Sequence, residues 1–139
     1  MKQVKWGIIG LGSIASKFAD GFQFTKNARL FAISSKNENK LLEFKNKFQI
    51  DENFCFSNYD SLLECKDLDM VYISLPHSFH HEWVIKSIKK EKNILVEKPA
   101  TINFLQMKNI KNNLKNKNIF FSEAFMYRYH PQIPKIVDL

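Results

Sequence analysis

Six residues near the start, Gly10-Leu11-Gly12-Ser13-Ile14-Ala15, constrain this chain more than any others, because they stand between an apolar run and an amphipathic one. Val4 to Ile9 reads as a buried strand, and Ile14 to Phe24 as a helix with Ile14, Phe18 and Phe22 at the helical period. A strand that turns through glycine straight into a helix opens a parallel sheet covered by helices. The rest of the chain repeats the alternation. Leu30 to Ser34, Phe54 to Phe56, Met70 to Leu75, Asn93 to Val96 and Ile119 to Phe121 read as further strands. Between them, Lys40 to Phe48, a short segment capped by Asp60 or Ser61, His80 to Lys90 and Asn103 to Leu114 read as helices. This order predicts an α/β fold with a doubly wound, mostly parallel sheet.

At that junction each small residue has a task. Gly10 permits the tight turn, Gly12 lets the backbone approach a pyrophosphate, and Ala15 allows close helix packing where a third glycine is usual. Free N–H groups at the helix start, beginning at Ser13 and Ile14, then meet phosphate charge. A bound dinucleotide is the expected ligand, against a merely structural turn. The second strand ends Ile33-Ser34-Ser35-Lys36-Asn37, with no carboxylate at the position that would bond ribose hydroxyls, and Glu38 comes late. Ser35 and Lys36 suit a 2'-phosphate, which favours NADP over NAD, unless they form only a solvated loop.

Composition closes off other classes. The 139 residues fit one domain, and 45% hydrophobic with 14% aromatic residues can fill a core. The formal charge of +7 comes from lysines scattered along the helical segments, often beside asparagine, so no nucleic-acid partner is expected. Cys55 and Cys65 lack metal-ligand spacing and read as reduced packing residues, and the apolar stretch Trp6 to Leu11 is too short to span a membrane. No metal site is expected at His77, His80 and His81, where no carboxylate shell is near. A cytoplasmic protein with no membrane partner follows as the expectation.

The motifs Gly10 to Ala15, Ser35-Lys36, Leu75-Pro76-His77-Ser78-Phe79-His80, Val96-Glu97-Lys98-Pro99 and Glu123 to Pro131 together resemble the Gfo/Idh/MocA oxidoreductases, particularly sugar and dihydrodiol dehydrogenase-like members. The resemblance covers essentially the whole chain. It implies a Rossmann domain binding NADP or NAD, followed in complete members by a domain that binds a sugar or polyol and commonly forms the oligomer interface. Lys98 matches the family's catalytic lysine beside the nicotinamide, where an ammonium stabilises alkoxide charge or donates a proton. Its alternative is one surface lysine among many. Glu97 would lie near the ribose or orient Lys98, and Pro99 would fix a turn that often carries a cis bond. Leu75, Pro76, His77, His80 and Arg128 match cofactor-contacting positions, although His80 or His81 could equally cap or pack a helix.

The resemblance also implies a boundary. Residues 1–122 form the nucleotide-binding domain and 123–139 begin a substrate domain that is otherwise absent, with Ile133 to Leu139 as the start of its first helix. The expected function is therefore the cofactor-binding part of a dehydrogenase, incomplete as an enzyme alone, with a non-catalytic dinucleotide-binding or redox-sensing module as the alternative. Phe120, Phe121, Phe125 and Met126 should lie exposed where that domain would pack, which leaves room for a homo-oligomer.

Overall fold

A computed structural model describes residues 3–139. Strands β1 (Val4–Ile9), β2 (Ala28–Ser34), β3 (Cys55–Phe56), β4 (Met70–Ile73), β5 (Asn93–Val96) and β6 (Phe121–Glu123) alternate with helices α1 (Ser13–Asp20), α2 (Glu38–Phe48), α3 (Tyr59–Glu64), α4 (His77–Lys89), α5 (Phe104–Leu114) and α6 (Gln132–Val137). All six strands run parallel in the order β3-β2-β1-β4-β5-β6. The chain winds outward from β1 to β3, crosses back to β4 and winds outward again. The strand order therefore reverses between β1 and β4, where such sheets open a ligand crevice at the carboxyl ends.

Two apolar layers sandwich the sheet, as right-handed crossovers on either side of β1 require. On one face Ile8, Ile33 and Tyr72 pack with Ala15 and Ala19 of α1 and Phe44 of α2. On the other, Ile9, Val71, Ile73, Ile94 and Val96 pack with Leu62 and Leu63 of α3, Trp83, Val84 and Ile88 of α4, and Ile110 of α5. Each fully buried aliphatic or aromatic side chain contributes about 1.5–3 kcal/mol. Among the described residues, no helix is long and apolar enough to cross a membrane.

Element types match the sequence reading, and several boundaries move. The first helix stops at Asp20, and Gly21–Phe24 tighten into a 3-10 turn, since glycine disfavours further α-helix. Phe22 still reaches the Trp6 and Phe18 rings from there. Asn58, rather than Asp60 or Ser61, caps α3, its Oδ1 accepting the Ser61 N–H at 2.8 Å. Helix α4 starts at His77 instead of His80, so Pro76 both ends the strand region and occupies the N-cap. Helix α2 starts at Glu38 because Asn37 caps it through Lys40 N–H. Strand β6 lies at Phe121–Glu123 rather than Ile119–Phe121, with Ile94 opposite Phe121 and Val96 opposite Glu123. Its polar Ser122 and Glu123 disguised it. The sheet thus reaches one residue past the expected boundary at 122.

Of the aromatic and apolar residues expected to be exposed, Phe120 and Met126 are, whereas Phe121 packs against the core and Phe125 is half-buried.

Candidate functional site

The crevice at the β1–β4 reversal is a cleft of about 420 Å³ lined by Gly10, Gly12, Ser35, Lys36, Lys40, Leu75 and Pro76, among others. Gly10 sits at φ +89°, a conformation that side chains resist. A Cβ there would also meet Leu75 Cδ2 at 2.7 Å. Gly12 differs: its Cβ position is open space. It is the N-cap of α1 and, among the described residues, no side chain caps that helix, so first-turn N–H groups are left for an anion. Open room at Gly12 beside an uncapped helix start fits a pyrophosphate. Ser74, which sequence reasoning passed over, ties the turn across the crevice, its hydroxyl donating to Gly10 O at 2.7 Å.

The far side of this cleft comes from the ends of β2 and β4. Ser35 is buried at 5% exposure, and its Oγ accepts the Asn37 N–H at 3.1 Å, so its hydroxyl hydrogen stays available. Lys36 is exposed, its ammonium 5.7 Å from the Tyr59 ring centre. Leu75 and Pro76 continue into a smaller apolar hollow of about 180 Å³ with Tyr59, Phe79 and Trp83.

The lysine loop follows β5. Glu97 is half-buried, and Lys98 is exposed with no hydrogen-bond or ion-pair partner for its ammonium among the described residues. The Lys98–Pro99 peptide bond is cis, as the motif suggested. Side chains from three other elements hold this loop. The Tyr72 hydroxyl of β4 donates to Glu97 Oε1. Glu123 of β6 accepts the Ala100 N–H at 2.8 Å. His80 of α4 has Nδ1 at 2.7 Å from Pro99 O and Nε2 at 2.7 Å from Leu75 O.

These contacts sort the expected residues. Gly10, Gly12, Ser35, Lys36, Leu75 and Pro76 come together in one cleft. Ser13 and Ile14 form the first turn of α1 beside it, and His77, exposed, begins α4. His80 is not a surface contact: it is wholly buried with both nitrogens occupied, so it braces the loops beneath the cleft and offers no atom to a cofactor. Its neighbour His77 packs edge-on, ring centres 5.5 Å apart. Arg128 is exposed in a different cleft of about 510 Å³ with Phe121, Ser122, Glu123, Phe125 and Tyr129. Tyr72 and Glu123 were not read as site residues. A tyrosine inside a buried strand was the available signal for the first, since its hydroxyl needs a partner. Among the described residues no group of three histidine, cysteine, aspartate or glutamate side chains could hold a metal.

A doubly wound sheet with a glycine turn and an uncapped helix at its switch point defines a dinucleotide-binding domain. Residues 4–125 match the oxidoreductase family Gfo/Idh/MocA, NAD-binding Rossmann fold, and the chain belongs to that family. It is 30% identical over 138 residues to an oxidoreductase, P35, of Formosa agariphila, covering 99% of this chain and 42% of that protein. A trans-1,2-dihydrobenzene-1,2-diol dehydrogenase of Xenopus tropicalis is 28% identical over 95% of this chain and 40% of its own length. The crystal structure of KijD10, a 3-ketoreductase from Actinomadura kijaniata in complex with TDP-benzene and NADP, superposes with a TM-score of 0.90 at 28% identity, covering 99% of this chain and 43% of that one. The chain thus spans about two fifths of the length of these relatives.

Proposed function

We propose that this chain is the cofactor-binding part of a cytoplasmic NADP-dependent oxidoreductase acting on a sugar- or polyol-type substrate. The observation that carries the reading is the single cleft at the switch point, open at Gly12 and bordered by Ser35 and Lys36. Gly12 and the first turn of α1 would hold the pyrophosphate, and the Ser35 hydroxyl with the Lys36 ammonium would hold a 2'-phosphate. Leu75, Pro76 and His77 would border the middle of the cofactor. When bound, the cofactor supplies the hydride donor or acceptor. Lys98, whose ammonium has no partner among the described residues, would stand beside the reacting carbon and there stabilise charge on the substrate oxygen or move its proton. The relatives' names support the substrate class, since they act on dideoxy-sugar nucleotides, xylose and dihydrodiols. Residues after Glu123 would lead toward a substrate-binding part, and the exposed Phe120 and Met126 would be covered by it or by a second copy.

Calorimetric titration with NADPH, NADP, NADH and NAD tests the reading. NADPH and NADP should bind at least about tenfold more tightly than the unphosphorylated pair, a difference of roughly 1.4 kcal/mol. Gly12→Asp should abolish binding of all four, and Lys36→Glu should erase the preference for the phosphorylated pair. Absence of binding to any of the four would overturn the proposal.

A further inference from the structure

We propose that Tyr72 is a positioning residue for the lysine loop: its buried hydroxyl holds the Glu97 carboxylate so that Lys98, one residue on, stays unpaired. The inference rests on the reading of Lys98 given above, and its test separates the two.

The argument starts from a cost. Tyr72 lies at 1% exposure on the face of β4 covered by α1, in a layer built from aliphatic and aromatic residues. Trp6, Phe18 and Phe22 make up the aromatic packing beside it, and the Phe18 ring stacks on Tyr72 with centres 4.0 Å apart at 28°. A phenylalanine would suit such a place, because a buried hydroxyl is destabilising unless it is hydrogen-bonded. The partner is Glu97 Oε1. Burial first, then the hydrogen bond and charge of Glu97, push the Tyr72 phenol far above the usual tyrosine range, so it remains a donor. The stack on α1 fixes the ring from the same helix whose first turn forms the phosphate cradle.

The second step concerns the other oxygen. Glu97 Oε2 accepts the backbone N–H of Lys98 at 3.3 Å, so both oxygens of the carboxylate have partners that are not ammonium groups. Lys5, Lys45, Lys47, Lys86 and Lys90 each find a carboxylate within 3.3 Å, whereas the other described lysines, Lys98 among them, are in no ion pair. Lys98 has a carboxylate on the adjacent residue and does not pair with it. The hold on Glu97 keeps the carboxylate nearest in sequence away from Lys98, and its chemical consequence is an ammonium that this carboxylate does not neutralise.

Tyr72→Phe keeps the ring and its stack on Phe18 while releasing Glu97. Acylation of Lys98 by an N-hydroxysuccinimide acetate, followed by peptide mass spectrometry on the chain without cofactor, reads the pairing directly. We expect the Lys98 rate to fall about three- to fivefold, the size of an exposed ion pair. Glu97→Gln added to Tyr72→Phe should restore it, because an amide cannot neutralise the ammonium. An unchanged rate in Tyr72→Phe, or a slowed rate that Glu97→Gln does not restore, overturns the proposal, the second result marking a general structural disturbance.

The cofactor arm uses the ratio of affinities for NADP and NADPH, which differ by the positive charge of the oxidised ring. Tyr72→Phe should shift that ratio toward NADP by about threefold or more, since a neutralised Lys98 no longer repels the ring. A slowed, rescued acylation together with an unmoved ratio would keep Tyr72 as the holder of Glu97 and overturn the placement of Lys98 beside the nicotinamide.

Discussion

The glycine turn and the lysine loop, the two ends of the proposed cofactor site, are built by opposite means. At the glycine end the backbone itself makes the site: Gly10 turns at φ +89°, Gly12 leaves room, and the uncapped first turn of α1 presents N–H groups. At the lysine end the backbone is held by side chains that arrive from β4, α4 and β6, namely Tyr72, His80 and Glu123. One residue serves both ends. The Leu75 side chain occupies the space a Gly10 Cβ would need, while its carbonyl oxygen lies 2.7 Å from His80 Nε2. The contrast separates a ligand surface made locally from a loop geometry made by long-range contacts, and the two should fail differently under substitution.

The sharpest separation comes from the two glycines. Gly10→Ala forces a side chain into a positive φ and against Leu75 Cδ2 at 2.7 Å, with Ser74 O at 3.3 Å. Strain and overpacking together should cost about 3 kcal/mol, seen as a thermal midpoint lower by roughly 10 °C. Gly12→Ala meets nothing within 4 Å. Its stability should stay within about 0.5 kcal/mol of the parent while NADPH affinity falls at least tenfold. Equal melting temperatures for the two variants would break the comparison at its glycine end.

His80→Ala is the counterpart at the lysine end. It removes a wholly buried ring and leaves the Leu75 and Pro99 carbonyls without their partner. The loss should be about 2–3 kcal/mol by chemical denaturation. Glu123→Ala should cost less, about 1–2 kcal/mol, because its carboxylate is half-buried and accepts one backbone N–H. Hydrogen exchange localises that change: the Ala100 amide should exchange faster, whereas the Gly10 amide, bonded to Ser34 O at 3.1 Å, should not respond. Parallel acceleration at both amides would mean that the ends are one cooperative unit.

The same contrast decides what was legible in the sequence. Strand and helix types, the sheet class and the glycine cradle follow from period, composition and adjacent residues, so they could be read without coordinates. The 3-10 turn at Gly21–Phe24 and the early start of α4 at His77 depend on local capping that competes with the periodic signal. His80 shows the harder limit. Its position left a cofactor contact and a packed or capping histidine equally open, and the contacts with Leu75 and Pro99 depend on two carbonyls brought together only by the sheet. Glu123 was hidden for a related reason, since a glutamate ending a strand looks solvated until Ala100 is placed beside it.

The smallest expected effect is a pH dependence at the lysine end. Tyr72 titrates well above its ordinary value when folded, so its proton is held there while the unfolded chain loses it near pH 10. The stability this group contributes is fully present below pH 10 and drains away above it, by up to about 1.4 kcal/mol per pH unit. At pH 8, Tyr72→Phe should be less stable than the parent by about 1.5 kcal/mol, the low end for a hydrogen bond to a charged acceptor. Above pH 10 the gap should close, because the variant has no phenol there to ionise on unfolding. The Tyr59 and Cys55 groups are also raised by burial and Lys92 is lowered by it, but they are common to both proteins and cancel in the difference. A gap that stays constant through pH 11 would show that the Tyr72 hydroxyl is neither buried nor tied to Glu97 in solution. The lysine end would then owe its geometry to His80 and Glu123 alone.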